Sequence, residues 1–307
     1  MDPSQDGVPG SYSAAGAQAD VGHRRIRKWV AVTTAAVLVA SVQVLVQVAT
    51  TTPAGAVPGI FTVNVFSAND SLPFKAVEAN CPPGYRVLGG GGSVNDGLAG
   101  QVALTWSGPR DNNDGTLPDT WMVVATAPAG YSDTWQLRAL AICGPSLPGL
   151  VMVSALTFSD ATFQSISAAC PAGKRVLSVG GGLTAMSNVD AFLQLVRPDG
   201  TLTVGRLTAR EGARHYPGTW NIWIDVLCAN PIAGQQYVDT VVNSAGGHAF
   251  CPAGKGVVGL GGGGGLSDSG PYYLQTLMPH TDLHGSYAAM TGAPPSGGVV
   301  VEATCTS

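Results

Sequence analysis

The chain has 307 residues, of which 15 are Lys or Arg and 19 are Asp or Glu, so its formal net charge is −4. This balance argues against a nucleic-acid-binding protein, which needs a basic surface to neutralise phosphates. Glycine contributes 42 residues and proline 21, yet 45% of the chain is hydrophobic. Most of the chain should therefore fold, with many turns and little helix.

The first 56 residues have the features of an export signal. Residues 1–28 are polar, end in a basic stretch and show no pattern that could build a core, so we expect them to be disordered. Trp29–Val48 is an uncharged run of 20 residues, and Ala54-Gly55-Ala56 after it resembles a cleavage site that would release a chain starting at Val57. A basic flank, an apolar run and small residues, in that order, are typical of a secretory signal.

The same segment, residues 29–56, has a second interpretation as a transmembrane anchor, because the 20-residue uncharged run is about long enough to span a bilayer as a helix, although five of its residues are Thr, Ser or Gln. In both cases the basic flank stays in the cytoplasm and residues 57–307 lie outside the cell. We therefore predict an extracellular domain that is either secreted or tethered to the membrane by residues 29–48, with no other membrane contact.

The exported part repeats one unit three times. Three cysteines open the same phrase, Cys-Pro-x-Gly-x-x-Val, at Cys81, Cys170 and Cys251. Paired glycines recur 10 and 11 residues after each of them, a leucine recurs after 23 and a proline after 28, and every copy ends in another cysteine. We place the three repeats at about 57–146, 147–231 and 232–307.

The repeated unit is predicted to consist of β-strands. Runs such as Val102–Trp106 and Trp121–Ala125 are rich in β-branched and aromatic residues and are bounded by Gly, Pro or Asn. No segment after residue 57 shows a long 3.6-residue apolar stripe with helix caps. We expect about four strands per copy, hence about 12 in all, in an all-β domain that follows the N-terminal hydrophobic helix.

Three sheets around a pseudo-three-fold axis, a β-prism-like domain, are the architecture we favour, because a unit of this size can bury one sheet face only against its neighbours. A β-trefoil and a row of three small β-sandwiches remain alternatives. Glycine clusters in strand-like sequence mark positions where a Cβ would clash. We expect Gly89–Gly92, Gly180–Gly182 and Gly261–Gly265 to line the crowded centre where the copies meet.

Six cysteines in an exported chain predict a disulfide framework. Three-fold repetition leaves two symmetric pairings, one within each copy and one that joins the closing cysteine of a copy to the opening cysteine of the next. We expect the first pairing, because each copy then closes its own sheet. The predicted disulfides are Cys81–Cys143, Cys170–Cys228 and Cys251–Cys305.

The repeated phrase, followed by glycines, a distal tryptophan and a closing cysteine, resembles secreted repeat proteins of actinobacteria, a group of largely unknown function, over residues 57–307. The phrase and the three-fold repetition are also similar to vitelline membrane outer layer protein, a three-fold β-prism. Both resemblances imply structural disulfides at the cysteines. β-Prisms are similar in shape to carbohydrate-binding proteins, which implies a glycan as the class of ligand without indicating a site.

Motifs for cofactors and metals are weak, and we predict neither. Gly259–Gly264 satisfies G-x-G-x-x-G, but no helix-forming sequence follows it. His280, Asp282 and His284 could face one metal from an extended strand, yet their position between a proline and a glycine indicates a polar hairpin tip. The acidic stretch Asp111–Gly115 has its glycine out of register for a calcium loop and is predicted to be a turn.

Tryptophan provides the only indication of a binding residue. Trp135 and Trp220 occupy equivalent places eight residues before a closing cysteine, so we predict that they pack in the core. Trp106 stands beside Ser107-Gly108-Pro109, which we interpret as a turn. It is therefore the tryptophan that we expect to be exposed, and the candidate ligand-binding residue for stacking on a sugar ring.

Structural residues repeat in this sequence and catalytic groups do not. We therefore predict a non-enzymatic exported protein that binds a surface glycan or another component of the cell envelope. The alternative is a structural surface protein whose three-fold shape serves assembly. A polysaccharide-acting enzyme would need two carboxylates about 5–10 Å apart, for which Asp190, Asp225 and Asp268 are the candidates. The sequence gives no prediction of the oligomeric state.

Overall fold

The structure is a computed structural model, and it describes residues 47–49, 59–96, 101–111, 117–184, 190–214, 216–264, 270–291 and 297–307. These residues form 19 β-strands, and the described ranges contain no helix, which confirms the all-β prediction. Within them, no helix is long and apolar enough to cross a membrane. The predicted leader and its hydrophobic helix lie outside the described residues apart from 47–49.

Each copy contains six strands. Strand β1 (Gln47–Ala49) precedes the first copy. The first copy contains β2 (Phe61–Phe66), β3 (Phe74–Asn80), β4 (Arg86–Asn95), β5 (Ala103–Arg110), β6 (Thr120–Thr126) and β7 (Gln136–Gly144). The second contains β8 (Val151–Ser159), β9 (Phe163–Ala169), β10 (Arg175–Leu183), β11 (Ala191–Pro198), β12 (Val204–Glu211) and β13 (Trp220–Ala229). The third contains β14 (Gln236–Val242), β15 (Gly246–Phe250), β16 (Gly256–Gly264), β17 (Leu274–Pro279), β18 (Gly285–Met290) and β19 (Val299–Thr306).

The strands form three antiparallel sheets, and every sheet combines halves of two copies. The first sheet has the order β1-β2-β7-β4-β17-β18-β15, the second β3-β6-β5-β10-β13-β8, and the third β14-β19-β16-β11-β12-β9. The first, sixth and third strands of a copy thus lie in one sheet, and its second, fifth and fourth strands lie in another. Each copy contributes strands to two sheets, and the three copies do so in cyclic order, which agrees with the predicted three-fold β domain. A row of independent sandwiches would instead keep the strands of each copy together.

Two details of the prediction are wrong. The structure has six strands per copy instead of about four, and no copy closes its own sheet. The second strand of the first copy, β3, was not predicted because its sequence mixes charged and apolar residues. Lys75 in β3 is only 6% exposed. Its ammonium group donates hydrogen bonds to the carbonyl oxygens of Ala68 and Asp70 at 2.9 and 3.0 Å, which is how a strand can bury a lysine.

Glycines allow the third strands of the three copies, β4, β10 and β16, to meet. A Cβ added at Gly89 would lie 2.3 Å from the carbonyl oxygen of Val258, and one at Gly259 would lie 1.7 Å from that of Leu177. Real Cβ atoms essentially never come closer than 3.0 Å. Only glycine is therefore compatible with these backbone distances, as the glycine clusters predict.

The glycine runs also lie at the junctions, within each sheet, where a strand of one copy pairs with a strand of another. A Cβ at Gly91 would lie 1.9 Å from the carbonyl oxygen of Leu277, and one at Gly182 would lie 2.1 Å from that of Thr105. Each junction pairs only two residues of each strand. Close approach between backbones is thus concentrated where a strand of one copy pairs with a strand of another copy in the same sheet. Gly265, the last residue of the predicted third cluster, lies outside the described residues.

Each copy contains one disulfide between its opening cysteine and its closing cysteine. The bonds are Cys81–Cys143, Cys170–Cys228 and Cys251–Cys305, with Cα–Cα distances of 5.6, 5.8 and 5.7 Å. In the first copy, Cys81 lies where the chain crosses from β3 in the second sheet to β4 in the first sheet, and Cys143 lies in β7 beside β4. The disulfide therefore fixes this crossing segment to the first sheet.

The fully buried side chains of Trp121, Trp135 and Trp220 fill the core, as predicted for the last two.

Candidate functional site

Equivalent positions of the three copies line a cavity of about 600 Å³, which we name the end cavity. Gln101, Asp190 and Pro271 all line it, and each lies 20 residues after the opening cysteine of its copy. Phe192 and Tyr273 also line it and share the position two residues further on. The end cavity is thus formed where the fourth strands of the copies begin, at β5, β11 and β17.

Two aromatic rings form the apolar part of the end cavity. The ring centroids of Phe192 and Tyr273 are 4.8 Å apart, with an interplanar angle of 50°. Phe192 is only 5% exposed, so that the ring of Tyr273 is the more accessible of the two. The Tyr273 hydroxyl donates a hydrogen bond of 3.1 Å to the backbone carbonyl of Glu211, which holds this ring against the cavity wall. Burial, with the charge of Asp190, raises the pKa of the Tyr273 hydroxyl.

Charged groups of both signs surround the ring pair. The backbone N–H of Arg214 donates a hydrogen bond of 2.9 Å to the Asp190 carboxylate, and its guanidinium Nε lies 3.6 Å from the same oxygen. The backbone N–H of Gly212 donates to the carbonyl of Asp190 at 2.5 Å. Glu211 and Arg210, the last residues of β12, also line the cavity. These contacts fix the Asp190 carboxylate, whose side chain stays 14% exposed, at the cavity surface.

Trp106 does not lie in the end cavity, and the prediction that it is exposed at a turn is wrong. It lies within β5, pairs with Val124 and is 8% exposed. It packs with Met122, Val124 and the half-buried Trp223 in a small cluster apart from the main core. The sequence after it continues as a strand because Gly108 lets β5 approach β10. A Cβ at Gly108 would lie 2.5 Å from the backbone nitrogen of Gly181.

Of the three carboxylates considered for catalysis, the two that the structure describes lie in different sheets or loops. Asp190 lines the end cavity. Asp225 lies in β13 of the second sheet, where it accepts hydrogen bonds from the Ser154 hydroxyl and from the indole N–H of Trp223, the latter at 2.7 Å. Burial raises the pKa of the Asp225 carboxyl despite these two hydrogen bonds. Asp268 lies outside the described residues.

The histidine-rich segment after β17 forms the predicted hairpin tip. The backbone N–H of His280 donates to the carbonyl of Gly285 at 2.8 Å, which closes the turn between β17 and β18. His280 meets a histidine of another strand, because its Nε2 lies 2.9 Å from Nδ1 of His248 in β15. Burial, followed by the nearby His248, lowers the pKa of His280. Across the described ranges, no group of three or more His, Cys, Asp or Glu is arranged to hold a metal ion.

Two further motifs can be placed only in part. Gly259–Gly264 forms the last six of the nine residues of β16, so the glycines that match the dinucleotide pattern lie in a strand at a junction between copies. Of the acidic stretch predicted to be a turn, only Asp111 is described, and residues 112–116 lie outside the described part.

Sequence reasoning considered only Asp190 among the end-cavity residues. The other lining residues escaped notice because the repeat places different residue types at equivalent positions. The positional signal was nevertheless present, at 20 and 22 residues after each opening cysteine.

In comparisons with known proteins, no protein-family model matches the chain, and no curated protein shows significant sequence similarity to it.

Proposed function

We propose that this protein is an exported, non-enzymatic glycan-binding protein and that the end cavity holds a short saccharide. The observation that carries the proposal is the Phe192–Tyr273 ring pair flanked by Asp190, Glu211 and Arg210. The C–H face of a sugar ring stacks on an aromatic ring, and its hydroxyls are suited to carboxylate acceptors and guanidinium donors. A cavity of about 600 Å³ falls in the range of small-molecule sites.

The balance of charge favours an uncharged, hydroxyl-rich ligand over an anion. Residues of both charge signs, Asp190 and Glu211 with Arg210 and Arg214, line the same cavity. A phosphate-binding site would have an excess of positive charge, as for nucleic acids. Charged residues of both signs beside the Phe192–Tyr273 ring pair suit a ligand whose groups both donate and accept hydrogen bonds. Sugar hydroxyls are such groups.

The location of the domain agrees with such a role. Three disulfides are typical of extracellular proteins. We propose that the domain is released after cleavage before Val57 or remains tethered by residues 29–48, and in either case meets glycans or other components of the cell envelope. The resemblance of the repeated phrase to secreted repeat proteins supports the same location.

The test is a screen of the exported protein on an array of bacterial and host glycans, with Tyr273→Ala and Asp190→Asn compared with the native chain. The first variant removes the stacking ring, and the second removes the charge while keeping an oxygen that can accept from the N–H of Arg214. Phe250→Ala is the matched control, because it removes an aromatic ring that is 59% exposed elsewhere.

We expect at least about a tenfold loss of affinity for each cavity variant, equivalent to about 1.4 kcal/mol, and none for the control. An array on which no glycan binds would overturn the proposal, as would binding that survives both cavity substitutions. Release of shortened saccharide from a bound glycan would contradict the non-enzymatic role.

A further inference from the structure

Strand β8 (Val151–Ser159) is a long, uncharged edge of the second sheet. Its nine residues read Val-Met-Val-Ser-Ala-Leu-Thr-Phe-Ser, with no charge, proline or glycine. It pairs with β13 on one side over all nine positions without a bulge. Natural proteins protect edge strands with lysine, proline, bulges or short length, because the free backbone groups of an edge template pairing with another strand. Strand β8 has none of these protections.

The equivalent edges of the other two sheets differ from β8. In the first sheet, the edge strand β2 has only six residues and pairs antiparallel with β1, which the proposed cleavage before Val57 would remove. In the third sheet, β14 has seven residues and includes the charged Asp239. The chain therefore shows at β2 that an added antiparallel strand fits this position of the repeat, while leaving the β8 edge open within the described residues.

Exposed apolar side chains accompany this open edge. Leu156 is 40% and Phe158 63% exposed. Leu156 pairs with Trp223 across the strands, and cross-strand partners project from the same face of a sheet. Gly182 pairs with both Trp223 and Trp106, so that the apolar surface runs from the middle of the second sheet to its edge at Phe158.

The β8 sequence is complementary to itself in one antiparallel register. Pairing centred on Ala155 places Phe158 opposite the partner's Met152 and Leu156 opposite the partner's Ser154. No charge is brought into contact, and the most exposed side chain, Phe158, gains an apolar neighbour. A two-fold contact in which the same surface serves both molecules is the commonest form of homo-oligomer.

We infer that β8 pairs antiparallel with β8 of a second copy of this chain, with the two-fold axis at Ala155, so that two six-stranded sheets become one sheet of twelve strands. The main-chain hydrogen bonds supply affinity, and the apolar row of Leu156 and Phe158 fixes the register. This interaction does not depend on the glycan-binding proposal. It provides the self-association that a structural surface protein needs.

Sedimentation velocity of the exported protein across the micromolar range tests the inference, with Leu156→Lys as the disrupting variant. The matched control is Val241→Lys, because Val241 is 56% exposed and occupies the same repeat position in β14. Leu156 and Val241 lie opposite Trp223 and Val300, each five residues before its closing cysteine. We expect a dimer for the native chain and the control. For Leu156→Lys we expect a dimer dissociation constant at least about tenfold higher, with monomer favoured, since lysine on an edge opposes pairing.

A second measurement tests the register. Ala155→Cys should give a disulfide-linked dimer on mild oxidation, because residues opposite each other across a two-fold strand pair fall within disulfide reach. A native chain that sediments as a monomer at every concentration overturns the inference. A dimer that responds to Val241→Lys instead of Leu156→Lys overturns it as well, and a dimer without the Ala155→Cys crosslink refutes the proposed axis.

Discussion

Substitution of Gly259 by alanine should strongly destabilise the domain. The added Cβ would lie 1.7 Å from the carbonyl oxygen of Leu177, 2.7 Å from its carbonyl carbon and 3.1 Å from Cα of Ser178. Relief of the first contact requires the backbones of β10 and β16 to separate by more than an ångström, and each of these strands is hydrogen-bonded to neighbours on both sides. Overpacking of a core costs about 1–3 kcal/mol, and strained ladder hydrogen bonds add about 1 kcal/mol each. We therefore expect a loss of at least about 3 kcal/mol in the free energy of unfolding.

Urea unfolding followed by circular dichroism, with the disulfides intact, measures this loss. For a urea dependence of about 2–3 kcal/mol/M, the midpoint should fall by about 1–1.5 M. The control is Gly297→Ala, since nothing lies within 4 Å of a Cβ at Gly297. Its free energy of unfolding should stay within about 0.5 kcal/mol of the native value. A loss below about 1 kcal/mol for Gly259→Ala would refute close approach of the third strands as the reason for the glycine runs.

Three further results are expected. Replacing Cys170 and Cys228 together with alanine should lower the free energy of unfolding by about 4 kcal/mol on the loop-closure account, measured by urea unfolding, because the bond spans 58 residues; an unchanged midpoint would contradict a structural role. Glu302 in β19 is fully buried, with the Arg197 guanidinium 2.7 Å from its carboxylate, and burial outweighs this cation and raises the pKa of Glu302 from 4.5 to about 7. The stability that this carboxyl contributes is therefore complete below pH 4.5 and is lost as the pH rises through 7. The difference in unfolding free energy between the native chain and Glu302→Gln should therefore change by about 3 kcal/mol over this interval, and a pH-independent difference would be inconsistent with the raised pKa. Replacing His248 with alanine should raise the pKa of His280, followed by NMR titration, because His248 is the second cause of its lowered value after burial; an unchanged or lower pKa would count against the contact.

The architecture could be predicted largely because its constraints repeat. Glycines at fixed distances from Cys81, Cys170 and Cys251 mark the places where backbones approach, and such contacts require the same residue in every copy. The exchange of half of each copy between sheets could not be predicted, because the same alternating pattern suits a strand in either sheet. Strand β3 was missed for a related reason, since the buried Lys75 makes its inner face look polar in the sequence.

The candidate site was much less predictable than the fold. Its residues lie at equivalent positions of the repeat but differ in type, as in Gln101, Asp190 and Pro271, so that repetition conceals them. The prediction that Trp106 is exposed was wrong because the Ser-Gly-Pro sequence that follows it is typical of a turn. At this position glycine instead permits close contact between β5 and β10. Knowledge that the fourth strands begin around one cavity would have been needed to identify the site.

Chemical-shift mapping determines whether a glycan binds in the end cavity, with the glycan that binds most strongly on the array titrated into the isotope-labelled protein. We expect the largest shifts on the amides and side chains of Asp190, Phe192, Arg210 and Tyr273, with little change around Trp106. Shifts centred on Trp106 and the second sheet, with the end cavity unaffected, would contradict it.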